Sequence, residues 1–272
     1  MTSVDRTVPV LTGDTANTER LRTCVARAIN ALHGVVRELE LTESELHSLV
    51  GFLNRVGVAD EFMLLSDVTH TSILVDGLTA ASGAGSTAGN VSGPMYRAGA
   101  RMDDTPAVIA RIDQGDQPLT LRGRVSDATT GLPLPGALLD IWQTNGAGLY
   151  DDQDPEQPPG NLRGVVRCDH SGRYEVRTVL PGPYRIASMN GPVYALLNTL
   201  GRHDNRPAHI HLRVSAKGHR PLTTMLFIAG DPWLDDDVIG AMKPELVVAP
   251  GRDGAGVLAA TFDVGLSADA PS

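Results

Sequence analysis

The chain has 272 residues, of which 42% are apolar, so it can form one large domain, or one domain with a smaller appendage, around an ordinary core. A net charge of −9 and a pI near 5.3 argue against non-specific nucleic-acid binding, which relies on clustered Lys and Arg. Cys24 and Cys168 fit no CxxC pattern and are too few for a disulfide scaffold, and no window is apolar enough to insert into a membrane. We therefore expect a cytoplasmic protein with reduced thiols.

The first third of the chain is predicted to be helical after a disordered N terminus of residues 1–18. Residues 19–38 place apolar side chains on one helical face: Leu21, Val25, Ile29, Leu32 and Val36. Thr42 and Glu45 form a T-x-x-E capping box for a second helix that ends at Gly57, and a third helix is predicted over residues 61–78. The helical segment, residues 19–80, presents more apolar surface than a short bundle buries, which predicts a two-fold dimer packed through it.

The rest of the chain has the pattern of a mainly β protein. Residues 81–100 begin with ASGAGSTAGNVSG, which is too rich in Gly and Ser for a regular element, and are assigned to a linker and pocket segment. Residues 101–265 contain seven strand candidates separated by turn residues and no long helix between them, which predicts a β-sandwich, followed by a disordered C terminus of residues 266–272. The candidates are LTLRGRVSD, ALLDIWQT, GVVRCD, RYEVRTVL, AHIHLRVSA, TTMLFIA and VLAATFDV.

Two histidines stand out in the strand that contains RPAHIHL. Side chains at positions i and i+2 of a strand point to the same face, so His209 and His211 can direct both imidazoles into one cavity. Histidine is the commonest metal ligand, but two histidines on a solvated strand face would give the same pattern. The pair alone therefore leaves a metal site and an ordinary surface equally open.

Further ligands could come from tyrosine. No carboxylate lies at a spacing that would complete a two-His, one-carboxylate triad. Tyr150, in NGAGLYDDQD, and Tyr184, in VLPGPYRI, both lie where an apolar strand gives way to a turn, and a side chain there can reach a neighbouring strand's cavity. Taken singly, each is better explained as a packed aromatic residue.

Several longer motifs resemble the intradiol aromatic ring-cleavage dioxygenases, a family that contains the catechol, chlorocatechol and hydroxyquinol 1,2-dioxygenases. The helical segment also looks like the family's dimerisation segment, and the resemblance covers the chain from about Leu21 to Phe262. The matching pieces are VRELELTESELHSLVGFLNRVG, EFMLLSD, SGPMY, TGLPLPGALLDIWQTNGAGLYD, NLRGVVRCDHSGRYEVRTVLPGPY, LGRHDNRPAHIHLRVSAKGHRPLTT and GDPWLDDD.

The resemblance implies a non-haem Fe(III), one per chain, whose protein ligands are Tyr150, Tyr184, His209 and His211. Phenolate is a hard anionic donor that suits Fe(III), and a bound cation lowers the pKa of a coordinated phenol. By the same resemblance, Tyr184 is the axial ligand that leaves and accepts a proton from the diol, and Arg206 lies beside the substrate ring. The implied reaction, part of aromatic compound catabolism, converts an ortho-diphenol and O2 into a cis,cis-muconate-type dicarboxylate. The family's dimers also hold a lipid-like molecule at their interface.

The predicted substrate pocket departs from the family at two positions. Met225 replaces the glutamine usual in catechol-type members, and Met95 replaces the phenylalanine of a GPFY-like sequence. With SMNGPV (residues 188–193) and the end of the third helix near residues 69–73, the pocket is expected to contain Gly93, Pro94, Met95, Tyr96, Ile73 and Met225. Two methionines offer no hydrogen-bond partner to a third ring hydroxyl, so catechol or a substituted catechol is favoured over hydroxyquinol, whose product would be maleylacetate.

A non-catalytic alternative belongs to a different functional class. The segment LRGRVSDATTGLPLPGALLDIW also fits transthyretin-like sandwiches, in which TG-x-P-x-x-GA is only a turn between two strands. An interaction module of that kind explains the sandwich. It does not explain the tyrosines, the paired histidines and Arg206 in one chain.

Overall fold

The computed structural model of the chain describes residues 15–79, 85–186 and 189–269, and the chain divides into two compact units after Gly57. The first unit contains α1 (Thr15–Glu38) and nearly all of α2 (Glu43–Val58). The predicted capping box is confirmed, because the backbone N–H of Thr42 donates to Glu45 Oε2 at 2.8 Å and the N–H of Glu45 donates to Thr42 Oγ1 at 3.3 Å. The predicted apolar face of α1 is 42–59% exposed at Val25, Ile29, Leu32 and Val36.

The predicted third helix is wrong, because the structure has two helices there, α3 (Phe62–Val68) and α4 (Thr71–Thr79). His70 lies between them with φ of 60°, a left-handed conformation that a helix cannot continue through. Both helices belong to the second unit, so the division after Gly57 differs from the predicted boundary at residue 80. This break decides which helix reaches the site described below.

The second unit is built on two β-sheets, which confirms the predicted β-sandwich class. One sheet has the order β1-β5-β4-β9-β10-β11, and the other has the order β12-β13-β3-β6-β2 with β14 beside β3; β7 and β8 form a separate pair. Inward side chains of both sheets form a single apolar core that includes Leu121, Leu139, Val176 and Leu212. The strands are β1 (Met102–Asp104), β2 (Ala107–Val108), β3 (Pro118–Asp127), β4 (Leu138–Gln143), β5 (Arg163–Arg167), β6 (Arg173–Val179), β7 (Tyr184–Arg185), β8 (Asn205–Arg206), β9 (His209–Ser215), β10 (Leu222–Ile228), β11 (Val247–Val248), β12 (Gly251–Arg252), β13 (Leu258–Thr261) and β14 (Val264–Leu266).

Six of the seven predicted strands correspond to β3, β4, β5, β6, β9 and β10, and the seventh is divided into β13 and β14. The division occurs at Phe262, whose carbonyl accepts a hydrogen bond from the Tyr174 hydroxyl at 2.7 Å. This carbonyl lies only 1.8 Å from where a β-carbon of Gly123 would be, so the approach requires glycine in β3. Two elements were not predicted from the sequence: α5 (Pro192–Thr199), which begins with proline directly after Gly191, and a short 3₁₀ helix at Pro244–Leu246.

The segments outside the sheets correct two further expectations. The predicted disordered C terminus begins too early, since Leu266 lies in β14 and Ala268 forms a bridge with His219. The predicted N-terminal disorder falls mostly on residues 1–14, which lie outside the described residues, and α1 already begins at Thr15.

Cys24 and Cys168 are both free thiols. Within the described ranges, the structure has no helix of the length and apolarity that a membrane crossing requires.

Candidate functional site

The two histidines of β9 meet in a buried site. His209 and His211 are 2% and 1% exposed, and their Nε2 atoms lie 3.1 Å apart. The alternate residues Ala208, Ile210 and Leu212 belong to the apolar core, as expected for the opposite face of a strand. The structure therefore brings the two imidazoles together on one side of β9, away from a solvated face.

Both imidazoles are neutral because burial opposes their protonation. Burial, with a contribution from the nearby charge of Arg206, lowers the pKa of His209 to about 3, and burial and His209 hold the pKa of His211 well below its ordinary value. The Nδ1 atom of His209 lies 2.7 Å from the Pro207 carbonyl, which can only accept, so Nδ1 carries the proton and Nε2 keeps a lone pair. His211 stacks on Trp142 with ring centroids 4.7 Å apart, and its buried Nδ1 has no partner.

The two tyrosines approach the histidines from other elements. Tyr150 follows β4 and is 1% exposed, and its ring meets that of Tyr184 edge-on at 5.7 Å. Tyr184 lies in β7, opposite Arg206 of β8, with its ring centroid 5.5 Å from that of His209. Burial raises the pKa of Tyr150 well above its ordinary value, and the neighbouring Tyr184 acts in the same direction. Tyr150 is therefore a neutral phenol unless a cation draws off its proton.

Close backbone contact sets the distance between the two tyrosine loops. Gly148 has φ of 79°, and a β-carbon there would lie 2.2 Å from the Pro183 carbonyl oxygen. In the facing loop, a β-carbon on Gly182 would lie 2.3 Å from the Gly146 carbonyl oxygen. Only glycine fits either position, so NGAGLY and LPGPY bring their tyrosines together through backbone packing.

Arg206 borders this group and is held by a partner that the sequence analysis did not identify. Its guanidinium donates from Nε to Asp237 Oδ1 at 3.1 Å and from Nη2 to Asp237 Oδ2 at 3.2 Å, and both residues are buried. Burial acts to raise the pKa of Asp237, but the charge and hydrogen bonds of Arg206, with smaller contributions from His209 and the Ile239 N–H, together hold the pKa below its ordinary value. Asp237 is the last residue of the quoted motif GDPWLDDD. Because three aspartates are consecutive there, the sequence does not indicate which of them is buried against Arg206.

A cavity open to solvent on one side adjoins these side chains. Its walls include Tyr150, Tyr184, Arg206 and His211. The remaining lining residues are Leu64, Asp67, Val91, Gly93, Pro94, Met95, Gln153, Arg185, Ile186 and Ile239. The cavity is therefore apolar over much of its wall, with charged groups at a few positions.

Three of the six predicted pocket residues, Gly93, Pro94 and Met95, line this cavity and three do not. Met225 is fully buried behind Arg206, with its Sδ 3.4 Å from Arg206 Nη2. The Tyr96 hydroxyl is 3.1 Å from Asp140 Oδ2 and its ring lies against Trp142. Ile73 lies on α4, whereas α3 supplies Leu64 and Asp67, because the helix break at His70 separates the two.

The donor set fits a hard trivalent cation. Within residues 15–79, 85–186 and 189–269, no group of three His, Cys, Asp or Glu residues could hold a metal ion, and the rings next to His209 and to each other are those of Tyr184 and Tyr150. Two neutral imidazoles and two phenols can supply ligands for such an ion, and two phenolates would offset part of a 3+ charge. The residues present therefore match the ligands that the sequence motifs implied.

Comparison with known proteins places these features in a family. The profile described as "Catechol dioxygenase N terminus" matches residues 18–87, and that described as "Dioxygenase" matches residues 91–268. The chain is 40% identical over 240 residues to a catechol 1,2-dioxygenase of Acinetobacter baylyi, covering 84% of this chain and 76% of that protein. It is 38% identical over 234 residues to a hydroxyquinol 1,2-dioxygenase of a Rhizobium species, covering 84% and 78%.

The fold agrees with these relatives. The structure of a hydroxyquinol 1,2-dioxygenase from Pseudomonas putida DLL-E4 superposes with a TM-score of 0.86 and 34% identity, covering 92% of this chain and 93% of that one. A non-catalytic transthyretin-like module, the alternative considered from the sequence, would account for neither match. The chain belongs to the intradiol ring-cleavage dioxygenase family and is a dioxygenase.

Proposed function

We propose that this protein cleaves a catechol-type ortho-diphenol between its two hydroxyl-bearing carbons, with both atoms of O2 entering a cis,cis-muconate-type dicarboxylate. The observation that carries the proposal is the convergence of Tyr150, Tyr184, His209 and His211 beside one apolar cavity. Pro94 and Ile239 give the cavity apolar wall that suits an aromatic ring, and Tyr150, Tyr184 and His211 line the same cavity.

We propose one ferric ion per chain, held by these four side chains. When bound, ferric iron would chelate both diol oxygens and make the ring carbons reactive toward O2. Tyr150 is almost completely buried, whereas Tyr184 is partly exposed and lines the cavity. Tyr184 is thus the phenol better placed to move aside and to accept a proton at Oη from the incoming diol.

Arg206 stabilises charge on the aromatic ring of the substrate. Its guanidinium lines the cavity, is fixed by two hydrogen bonds to Asp237 and has Nη1 3.3 Å from His209 Nε2. A fixed positive charge beside the diol stabilises negative charge that develops on the ring as it opens. Because Asp237 holds the guanidinium in advance, no reorganisation is needed when the substrate arrives.

Oxygen uptake and product spectra test this function directly. Protein purified from iron-replete cells should contain about one iron per chain, show a broad visible band from phenolate-to-iron charge transfer and consume one O2 per catechol. The product should have the ultraviolet absorbance of a muconate. Formation of a yellow semialdehyde would mean extradiol cleavage and would overturn the proposal, as would colourless protein that stays inactive after ferric loading.

One lining residue favours hydroxyquinol as a second candidate substrate. The two methionines favour catechol because they leave a third ring hydroxyl without a partner, but Asp67 of α3 lines the cavity and is 9% exposed. Among the described lining residues, Asp67 is the acidic one, and its pKa is raised by burial against an opposing hydrogen bond from Ser72. A buried carboxyl group of this kind can accept a hydrogen bond from a third hydroxyl.

A substrate panel distinguishes the two candidates. Hydroxyquinol, catechol, 4-methylcatechol and 4-methoxycatechol present a third hydroxyl, a hydrogen, a methyl and an ether at the same ring position. Recognition by Asp67 predicts a kcat/KM for hydroxyquinol more than about tenfold above the others, and predicts that Asp67→Leu removes the difference. Asp113→Leu is the matched control, because it makes the same change at an exposed aspartate outside the cavity wall. Equal kcat/KM values for hydroxyquinol and catechol in the wild type would favour catechol.

A further inference from the structure

A second buried arginine, Arg163, contacts the candidate site from behind Tyr150. Arg163 begins β5, opposite Trp142 in β4, and is 4% exposed. Its Cζ lies 5.4 Å from the centroid of the Tyr150 ring. Arg163 belongs to the quoted motif NLRGVVRCDHSGRYEVRTVLPGPY, but neither the resemblance nor the function proposed above gives it a role.

Arg163 forms two hydrogen bonds that lead in different directions. Its Nε donates to Oδ1 of Asp151, the residue directly after Tyr150, at 2.7 Å. Its Nη1 donates to the Met95 carbonyl at 2.7 Å. Met95 lines the cavity, so one planar guanidinium joins the cavity wall to the loop that carries Tyr150. Its third nitrogen, Nη2, is buried without a partner.

The anchor of this bridge is itself fixed. Asp151 is 7% exposed and accepts a hydrogen bond from the Gly160 N–H at its other oxygen, at 2.7 Å. Arg97, which is half exposed, also binds Asp151 Oδ1. The Asp151 carboxylate is therefore held by Gly160 and Arg97 as well as by Arg163. Of these residues, Arg163 is the one that contacts the Tyr150 ring.

We propose that Arg163 is a positioning residue that holds the Tyr150 ring and the Met95 wall of the cavity in register. The role rests on the proposed iron site, because Tyr150 is one of its ligands. A positive charge over the ring holds the electrons of a phenolate more strongly, so Arg163 should raise the energy of the phenolate-to-iron charge transfer. Its bond to the Met95 carbonyl should keep the ring-binding wall in the position that the diol needs.

Two substitutions separate the charge from the bridge. Arg163→Met removes both, so the visible band should move to longer wavelength and KM for catechol should rise about tenfold, as for a lost hydrogen bond to a charged group. Arg163→Lys keeps a cation near the ring but cannot make the two divergent bonds, so the band should stay near its wild-type position while KM rises. Arg167→Met is the matched control, because it removes an exposed arginine from the same strand.

Loss of folding is handled with a double variant. Arg163→Met leaves the buried Asp151 with less compensation, so Asp151→Asn combined with Arg163→Met removes both charges and should show a smaller band shift in the same direction, because Arg163 is the residue that contacts the ring. A folded variant with wild-type band position and wild-type KM would overturn the role of Arg163 alone. Wild-type protein that shows no visible band after ferric loading would overturn the iron site and this role together.

Discussion

The Nε2 atoms of His209 and His211 face each other at 3.1 Å in a site from which water is largely excluded. His209 holds its proton at Nδ1, so its Nε2 can accept a hydrogen bond from the Nε2–H of His211. A cation bound by both nitrogens would replace that hydrogen bond, and the His211 proton would move from Nε2 to Nδ1, so that both rings would bind as neutral imidazoles. The pair is therefore ready to bind a metal at neutral pH.

We predict that His209→Ala and His211→Ala each lower the iron content to less than about a tenth of the wild-type value, because each removes one of four proposed protein ligands. The visible band should fall in proportion. Iron analysis after ferric loading and gel filtration measures this. His170→Ala, at an exposed position, should retain full iron content. Full iron occupancy in His211→Ala would show that the assigned ligand set is incorrect.

We predict that Asp237→Asn lowers kcat/KM for the diol by about tenfold to a hundredfold while iron content stays unchanged. The amide cannot form the charged, two-bond pairing that fixes Arg206, and such pairings contribute ~1.5–3 kcal/mol. Steady-state kinetics together with iron analysis separate the two effects. Asp236→Asn is the control, because Asp236 is the preceding residue and its side chain is 77% exposed. Equal losses in the two variants would contradict a specific role for Asp237.

The pH dependence of stability should contain a contribution from Asp127 in the β3 turn. Hydrogen bonds from Thr130, first from its backbone N–H and then from its hydroxyl, together with His219, lower the pKa of Asp127 from 3.8 to about 2. A carboxyl group whose pKa is lower in the folded state stabilises that state at pH values above its unfolded-state pKa. This stabilisation is lost as the pH falls from about 4 to about 2. Wild type should therefore exceed Asp127→Asn in urea midpoint at neutral pH, and the difference should shrink toward pH ~2. A constant difference would contradict the assignment.

The exposed face of α1 predicts a dimer. Four apolar side chains at helical spacing remain 42–59% exposed, which favours burial against a second copy. Light scattering at micromolar concentration should give twice the 28.8 kDa of the chain, and Leu32→Glu should give the single-chain mass. Leu132→Glu, at an equally exposed position of the second unit, should remain dimeric. A monomeric mass for the wild type would contradict the prediction of a dimer. The lipid expected at the dimer interface is tested separately, by mass spectrometry of an organic extract of the protein.

The parts of the fold that follow local rules could be predicted from the sequence. Alternation of apolar residues located β3, β4, β6 and β9, and the capping box located the start of α2. His209 and His211 share a face because the side-chain period of a strand is two residues. The tyrosines could be placed beside them only through the family motifs, since their approach depends on contact between two loops distant in sequence.

The rest depends on one backbone conformation and on long-range contacts, neither of which the apolar pattern of the sequence encodes. The break at His70 puts Asp67, rather than Ile73, in the cavity wall, and it follows from a single residue with positive φ. Of the three aspartates that follow Leu234, the one that turns inward is fixed by Arg206, which lies some thirty residues earlier. In the sequence, Arg163 has the pattern of an ordinary exposed strand position. In the folded structure it is buried by β4, Asp151 and the Met95 segment.

Gly148 has a wider consequence for how this protein can change. Because the loop that carries Tyr150 rests on the backbone before Tyr184, with no side chain between them, the spacing of the two phenols is a property of the main chain. The cavity walls at α3 and at residues 93–95 are side-chain surfaces on other segments. Mutations can therefore alter the range of rings that fit without altering the spacing of the donors, whereas any β-carbon at position 148 would change that spacing for every substrate at once.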